Sequence, residues 1–333
     1  MSTPLLEVKD ERINFILENK QHVSATEHVS FKLDAHTTLG IVGESGCGKS
    51  ITASSILGLL PKGSGYIAEG EILLEGKDIS KYTPKQMREV RGKEISMIFQ
   101  EPMTSLNPVY RIETQMTEML KAHNPRISKA EAHAKCVEML TKVGIPAPEQ
   151  RLREYPHQLS GGMRQRVMIA MALSTNPKIL IADEPTTALD VTIQAQIMEL
   201  MVDLKESTGT AIIMITHDMG VIAEMSDYVL VMYAGRVVEY AAVKDLFRNP
   251  MHPYTKGLLK SIPRSDQDSE ELFTIEGSVP GLSEMPSGCR FANRCGQSCE
   301  LCHREFPPTV ELENGHQVSC WLYAKDKPEE SEA

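Results

Sequence analysis

An α/β fold built on a parallel sheet is predicted by three observations. Five apolar segments are too short for helices, helical stretches alternate with them, and four of the five end on a glycine or a reactive residue. The segments are 38–42, 95–99, 179–182, 211–216 and 229–233, rich in β-branched residues or Met as strands covered on both faces are. Gly43 follows the first, Gln100 the second, Asp183 and Glu184 the third, and His217 the fourth. Ligands of open α/β sheets sit beyond the carboxyl ends of the strands, so these endings are expected to converge on one crevice.

The elements between them read in order. Residues 69–79 and 229–241 have hairpin character, the second turning at Ala234, Gly235 and Arg236. From about 101 to 158 Pro-punctuated helices replace buried strands, which predicts an inserted helical subdomain placed at about 101–165. Over 191–206, Ile193, Ile197, Leu200, Met201 and Leu204 recur at helical spacing. The α/β alternation stops after Asn249 and Pro250, giving a first domain at 1–250 and a C-terminal region at 251–333. Within that region 264–271 reads as an acidic linker and 325–333 as a solvated tail.

Composition bounds the function. With 333 residues, 41% hydrophobic and 24% charged, the chain buries a sizeable core and is neither disordered nor a disulfide miniprotein. Its 35 basic against 45 acidic residues leave −10, which argues against nucleic acid as the main partner. The longest apolar runs, such as 179–182 and 211–215, fall far below the roughly 18 residues of a bilayer span. Residues 1–12 lack the basic and apolar stretches of a secretion signal, so a cytoplasmic chain with reduced thiols is expected.

Gly43, Glu44, Ser45, Gly46, Cys47, Gly48, Lys49 and Ser50 fit the phosphate-loop pattern, directly after one predicted strand and before a helix opened by Ile51. Glycines let backbone N–H groups wrap a phosphate, Lys49 reaches the β and γ phosphates, and the Ser50 hydroxyl serves Mg²⁺. Asp183 and Glu184 add a carboxylate for the metal's water shell and a second to deprotonate water. His217 by itself is equally a structural histidine. Ser160, Gly161 and Gly162, between Leu159 and Met163, precede an amphipathic run and offer a second anion-binding helix start; plain capping by Ser160 explains that pattern as well.

Taken together these residues resemble the ATP-binding subunits of ABC transporters. Walker A falls at 43–50, the Q-loop at Gln100, the signature at 159–163, Walker B at 179–184, the D-loop at 188–190 and the switch histidine at His217. The resemblance implies a P-loop NTPase, RecA-like core with an antiparallel β subdomain and the helical insert. It implies two subunits that sandwich ATP, each P-loop facing the other's Ser160, Gly161 and Gly162, with Asp190 communicating across. Glu184 would be the general base, Gln100 would couple Mg²⁺ to the membrane partner, and Phe15 would stack on adenine, though Phe15 is equally a strand core residue. A thiol at a helix start favours thiolate, so Cys47 is expected to be alkylated and protected by ATP.

The stretches 98–108, 155–160 and 252–255 resemble the dipeptide, oligopeptide and nickel importers, and Met163 resembles the first of two non-identical ATPase subunits. The resemblance implies a paralogous ATPase partner, two membrane permease subunits, a substrate-binding protein acting indirectly, and a peripheral position on the cytoplasmic face of the plasma membrane. Peptide is the favoured cargo; nickel, another small solute or antimicrobial peptides are alternatives, as is a soluble non-transport ATPase. Five of seven cysteines fall between Cys289 and Cys320, and Cys299 with Cys302 suggests zinc as readily as iron by spacing. In the family pattern Cys289, Cys295, Cys302 and Cys320 match, Cys299 is extra, and a [4Fe–4S] cluster, with Zn²⁺ as alternative, is implied for a small Cys-rich module.

Overall fold

The computed structural model describes residues 3–100, 105–187, 189–262 and 273–324. Residues 101–104 of the family stretch, Ala188 of the predicted D-loop, the acidic linker, the 325–333 tail and the side chain of Leu204 lie outside the described residues.

Two long strands, β1 (Leu6–Ile16) and β2 (His22–Leu33), precede β3 (Thr38–Val42), which is buried along its whole length. The glycine loop then leads into α1 (Lys49–Ile56), followed by the hairpin of β4 (Gly65–Leu74) and β5 (Lys77–Asp78). Next come α2 (Pro84–Val90), started by a Thr83–Gln86 capping box, and β6 (Ile95–Ile98). The strand stops one residue before prediction, and Phe99 is 45% exposed.

From Ile112 the chain runs through α3 (Ile112–His123), α4 (Lys129–Lys142), α5 (Pro148–Leu152) and α6 (Gly161–Leu173), which continues beyond the predicted bound at 165. Ser128 and Glu131 form the box that starts α4. Then follow β7 (Ile179–Asp183), α7 (Val191–Thr208), β8 (Ala211–Ile215), α8 (Met219–Met225), β9 (Tyr228–Tyr233) and β10 (Arg236–Ala242). Ile197 and Met201 of α7 are buried, the inward face expected from their spacing. The C-terminal region contributes α9 (Val243–Arg248), α10 (Pro253–Lys260), α11 (Glu300–Arg304), β11 (Thr309–Glu311) and β12 (Gln317–Ser319).

These elements form two units. The first comprises 1–32, 39–80 and 216–333 and contains an antiparallel sheet of order β2-β1-β4-β5. It also contains the strand order β11-β12-β10-β9-β3, antiparallel except where β3 runs parallel to β9, Leu39 opposite Tyr228 and Val42 opposite Val231. Ala234 and Gly235 both take positive φ, giving the tight turn whose twist suits the β9–β10 hairpin. The second unit, 33–38 and 81–215, has parallel β8-β7-β6 and the four insert helices. Every residue of β7 and β8 is buried, and each large aliphatic side chain so buried contributes roughly 1.5–3 kcal/mol.

Within the first unit, Glu239 of β10 is fully buried and accepts from the backbone N–H groups of Met251 and His252 and pairs with His316 Nε2 at 2.8 Å. Burial pushes this carboxyl up, but His316 and the backbone donors outweigh it and hold the group below the ordinary carboxylate value. Burial pushes His252 down to about 4, so it stays neutral and its Nδ1 accepts from the Tyr254 N–H. No helix among the described residues is long and apolar enough to cross a membrane.

Candidate nucleotide site

In the first unit, β3 delivers the chain to Gly43, whose φ is 152° and whose absent Cβ would lie 2.2 Å from the Met232 carbonyl oxygen. No side chain fits there, so glycine is required at the start of the loop. The loop runs through half-buried Glu44 and exposed Ser45 and Gly46 to the buried Cys47. Gly48 is the N-cap of α1, so no side-chain cap competes for the N–H groups of the first turn, where the helix dipole is positive. Lys49 is 5% exposed, and its Nζ donates to the carbonyls of Gly43 at 2.6 Å and Glu44 at 3.0 Å. Ser50 and Ile51 are half-buried in the first turn. An ammonium held at a glycine loop beside an uncapped helix start puts together the groups the sequence names for phosphate.

His217 lies in the same unit and is exposed. The residue before it is fixed to the P-loop strand, with Thr216 N–H donating to the Ile41 carbonyl at 3.3 Å, and Thr216 Oγ1 accepts from Asp218 N–H. Phe15 on β1 is half-buried and pairs with Gly65 of β4.

The expectation for Cys47 is corrected. The thiol is 0% exposed, and burial pushes its pKa up, with Lys49 only partly offsetting the effect. Desolvation at this depth outweighs the helix-start field that favours thiolate.

The second unit holds the remaining site residues. Asp183, 4% exposed, ends β7, and Glu184 follows at φ 45°, a left-handed conformation that non-glycine residues rarely take and that is concentrated at functional sites. The Glu184 N–H donates to the Ile215 carbonyl, which fixes the turn against β8. Gln100, just past β6, donates through Nε2 to Glu184 Oε2 at 2.8 Å, and Thr187 Oγ1 donates to the same oxygen at 2.8 Å. The strand-end convergence predicted for Gln100 and Glu184 is therefore direct contact.

Ser160 caps α6, its Oγ accepting from Met163 N–H at 3.3 Å. Gly162 lies against α7: a Cβ there would stand 2.8 Å from Ile193 Cγ2. Asp190 caps α7 by accepting from Ile193 N–H at 2.9 Å, so the side chain expected to signal between subunits also sets the helix that packs on the signature glycine.

In the C-terminal region Cys289, Cys302 and Cys320 are buried, Cys295 half-buried and Cys299 exposed. The Cys289 N–H donates to the Cys302 carbonyl at 2.7 Å, and Cys299 Sγ lies 3.5 Å from Cys302 Sγ. Burial pushes Cys289 up to about 12 and Cys320 to about 11, and charge on neighbouring thiols, Cys295 and Cys302 among them, adds to both. Among the described residues, no group of three or more His, Cys, Asp or Glu side chains is placed to hold a metal ion. The thiols expected to ligate iron or zinc thus gather in one region without a coordinating arrangement.

Two features of the C-terminal region gave no signal in the sequence. Arg290 and Arg294, four residues apart, each pair with the N-terminal part of the same unit, Arg290 with Glu27 and Arg294 with Glu44. Each arginine adjoins a cysteine of the family pattern, Cys289 or Cys295, but nothing in that spacing announces an acidic partner.

A glycine-wrapped helix start with a buried lysine, and a carboxylate fixed by an amide from the adjacent strand, are the parts of a nucleotide-hydrolysing protein of the phosphate-loop class. Residues 26–187 match the ABC transporter family, and residues 238–302 match the oligopeptide/dipeptide transporter C-terminal region. Over 331 residues the chain is 52% identical to the oligopeptide transport ATP-binding protein AppD of Bacillus subtilis, covering 99% of this chain and 100% of that protein. It is likewise 52% identical to the dipeptide transport ATP-binding protein DppD of the same organism, covering 90% of this chain and 89% of that protein. Among solved structures, the dimeric post-hydrolysis state of an ATP-binding cassette bound to ADP and Pi superposes with a TM-score of 0.64 at 26% identity, covering 72% of this chain and 98% of that one. The chain belongs to the ATP-binding proteins of ABC transporters, in the oligopeptide and dipeptide transport group.

Proposed function

We propose that the chain binds and hydrolyses ATP to power an ABC importer of dipeptides or oligopeptides. The observation that carries this reading is the pairing of Gln100 with Glu184 at 2.8 Å in a chain whose α1 start carries Lys49 within a glycine loop. In it, the backbone N–H groups of 43–50 and the Lys49 ammonium bind the phosphates, and Phe15 takes the adenine. Ser50, Gln100 and Asp183 would hold Mg²⁺, which supplies charge neutralisation at the phosphates when bound. Glu184 accepts the proton of the attacking water, and Gln100 and Thr187 orient its carboxylate. His217, exposed at the end of its strand, is suited to contact the departing phosphate.

A sister ATPase subunit completes the site from outside, with Ser160, Gly161 and Gly162 of each chain facing the other's P-loop; the half-exposed glycines at an N-capped helix start support this. Two permease subunits receive the motion at the cytoplasmic face, and a substrate-binding protein delivers the peptide. Membership in the oligopeptide and dipeptide group supports that cargo. A [4Fe–4S] cluster at Cys289, Cys295, Cys302 and Cys320 is supported by the thiolate chemistry of those four residues and by nothing in their arrangement.

The test is steady-state ATP turnover together with uptake of labelled tripeptide, using the chain assembled with its sister subunit, permeases and substrate-binding protein in liposomes. Glu184→Gln is expected to cut turnover by about 10² or more while nucleotide binding persists. Unchanged turnover would refute the assignment of the base, and nucleotide-independent uptake would refute the coupling. Visible absorption with iron and zinc analysis of anaerobically purified protein tests the cluster, a colourless zinc-bearing or metal-free protein rejecting iron.

A further inference from the structure

We propose that Arg294 is a positioning residue for the phosphate loop, so that the C-terminal region sets nucleotide affinity; this rests on the nucleotide reading above. Its guanidinium, on a side chain only 7% exposed, is shared between the C-terminal region and the loop. Nε donates to the Glu276 carbonyl at 2.7 Å and one terminal nitrogen to the Ile275 carbonyl at 3.0 Å. The other terminal nitrogen donates to both Glu44 carboxylate oxygens, at 3.1 and 2.9 Å, and to Tyr233 Oη at 3.3 Å.

Glu44 is the second residue of the loop and is held from three sides. Its carboxylate takes Arg294, its N–H donates to Tyr254 Oη at 2.8 Å, and its carbonyl accepts from Lys49 Nζ at 3.0 Å. Tyr254 belongs to α10 and is fully buried, edge-on to Tyr233 with ring centroids 4.7 Å apart, and Phe291 packs edge-on to Tyr233 at 5.1 Å. The far end of the loop is held by the same short segment. Arg290 donates to the Ala234 carbonyl and pairs with Glu27 at 2.7 Å, while the next residue of that turn, Gly235, donates its N–H to the Cys47 carbonyl at 2.9 Å. A glycine-rich loop has many conformations to lose on gripping an anion, and a clamp at both ends removes part of that cost in advance. Arginine suits the task because its planar fork fixes direction as well as charge.

The test measures affinity for a fluorescent ATP analogue, KM and kcat in the full-length protein with its partner subunits, for Arg294→Ala, Arg294→Lys, Glu44→Gln and the Arg294→Ala/Glu44→Gln pair. Arg294→Ala and Glu44→Gln are each expected to weaken binding about 5- to 10-fold and to raise KM by more than they lower kcat. The double variant is expected to be no worse than the weaker single, and Arg294→Lys to recover part of the loss. Glu44→Gln keeps the C-terminal region's own hydrogen bonds and so reports even if Arg294→Ala fails to fold. Affinity within twofold of wild type for both single variants, or additive losses in the pair, would overturn the proposal. Lys49→Ala serves as control: binding that survives it would overturn the nucleotide reading instead.

Discussion

Gln100 and Glu184, 84 residues apart in the chain, meet through one hydrogen bond of 2.8 Å between an amide nitrogen and a carboxylate oxygen. β6 and β7 are parallel neighbours, with Ile98 opposite Ala182, so both side chains emerge from the same end of adjacent strands. Removing the amide leaves Glu184 in place but loosens its aim. Gln100→Ala is expected to lower ATP turnover about tenfold, a smaller loss than Glu184→Gln causes. Steady-state phosphate release compares them, and equal losses would contradict the division into base and positioning group.

Glu11 supplies a pH test. Its side chain is fully buried in β1, Oε1 accepts from Ser55 Oγ at 2.6 Å, and Oε2 has no partner among the described residues. Burial pushes its pKa from 4.5 up to about 7, Ser55 offsetting part of the rise. The folded protein therefore holds a proton the unfolded chain has released, and this site's stability falls as pH rises from 4.5 to 7, then levels. The loss is on the order of 3 kcal/mol. Urea unfolding across that window is expected to show this slope in the wild type and its absence in Glu11→Gln.

Gly162→Ala is expected to destabilise the protein by about 1–3 kcal/mol, because the new methyl would stand 2.8 Å from Ile193 Cγ2. Thermal unfolding of Gly162→Ala/Ile193→Ala should recover part of the loss. No recovery would place the strain elsewhere.

Brief alkylation of the native protein, read by mass spectrometry, is expected to mark exposed Cys299 before buried Cys47. Cys47 should react only after unfolding. Early labelling of Cys47 would mean that the loop opens in solution.

The central strands were legible because burial on both faces demands short runs with few polar residues, and 38–42 and 211–215 are of that kind. That Lys49, Gln100, Glu184 and Ser160 stand at strand or helix ends was likewise legible, since each motif sets residue types at fixed offsets from such an end. The contact between Arg294 and Glu44 was not legible: it spans 250 residues and leaves no periodicity. β12, three residues long, is too short for a pattern to emerge, and its place beside β10 follows from tertiary pairing. The Cys47 expectation failed for a related reason, because position at a helix start is local while burial depends on the whole fold.

The pairing of Leu39 with Tyr228 and Val42 with Val231 has a consequence for biosynthesis. While the ribosome is still adding the middle of the chain, the strand that launches the glycine loop lacks this edge partner. A nascent polypeptide halted before position 228 carries every residue of the loop yet cannot complete its support on that side. The support that β9 gives to this loop thus becomes available only after translation has passed Val231 and the chain has come back to its beginning.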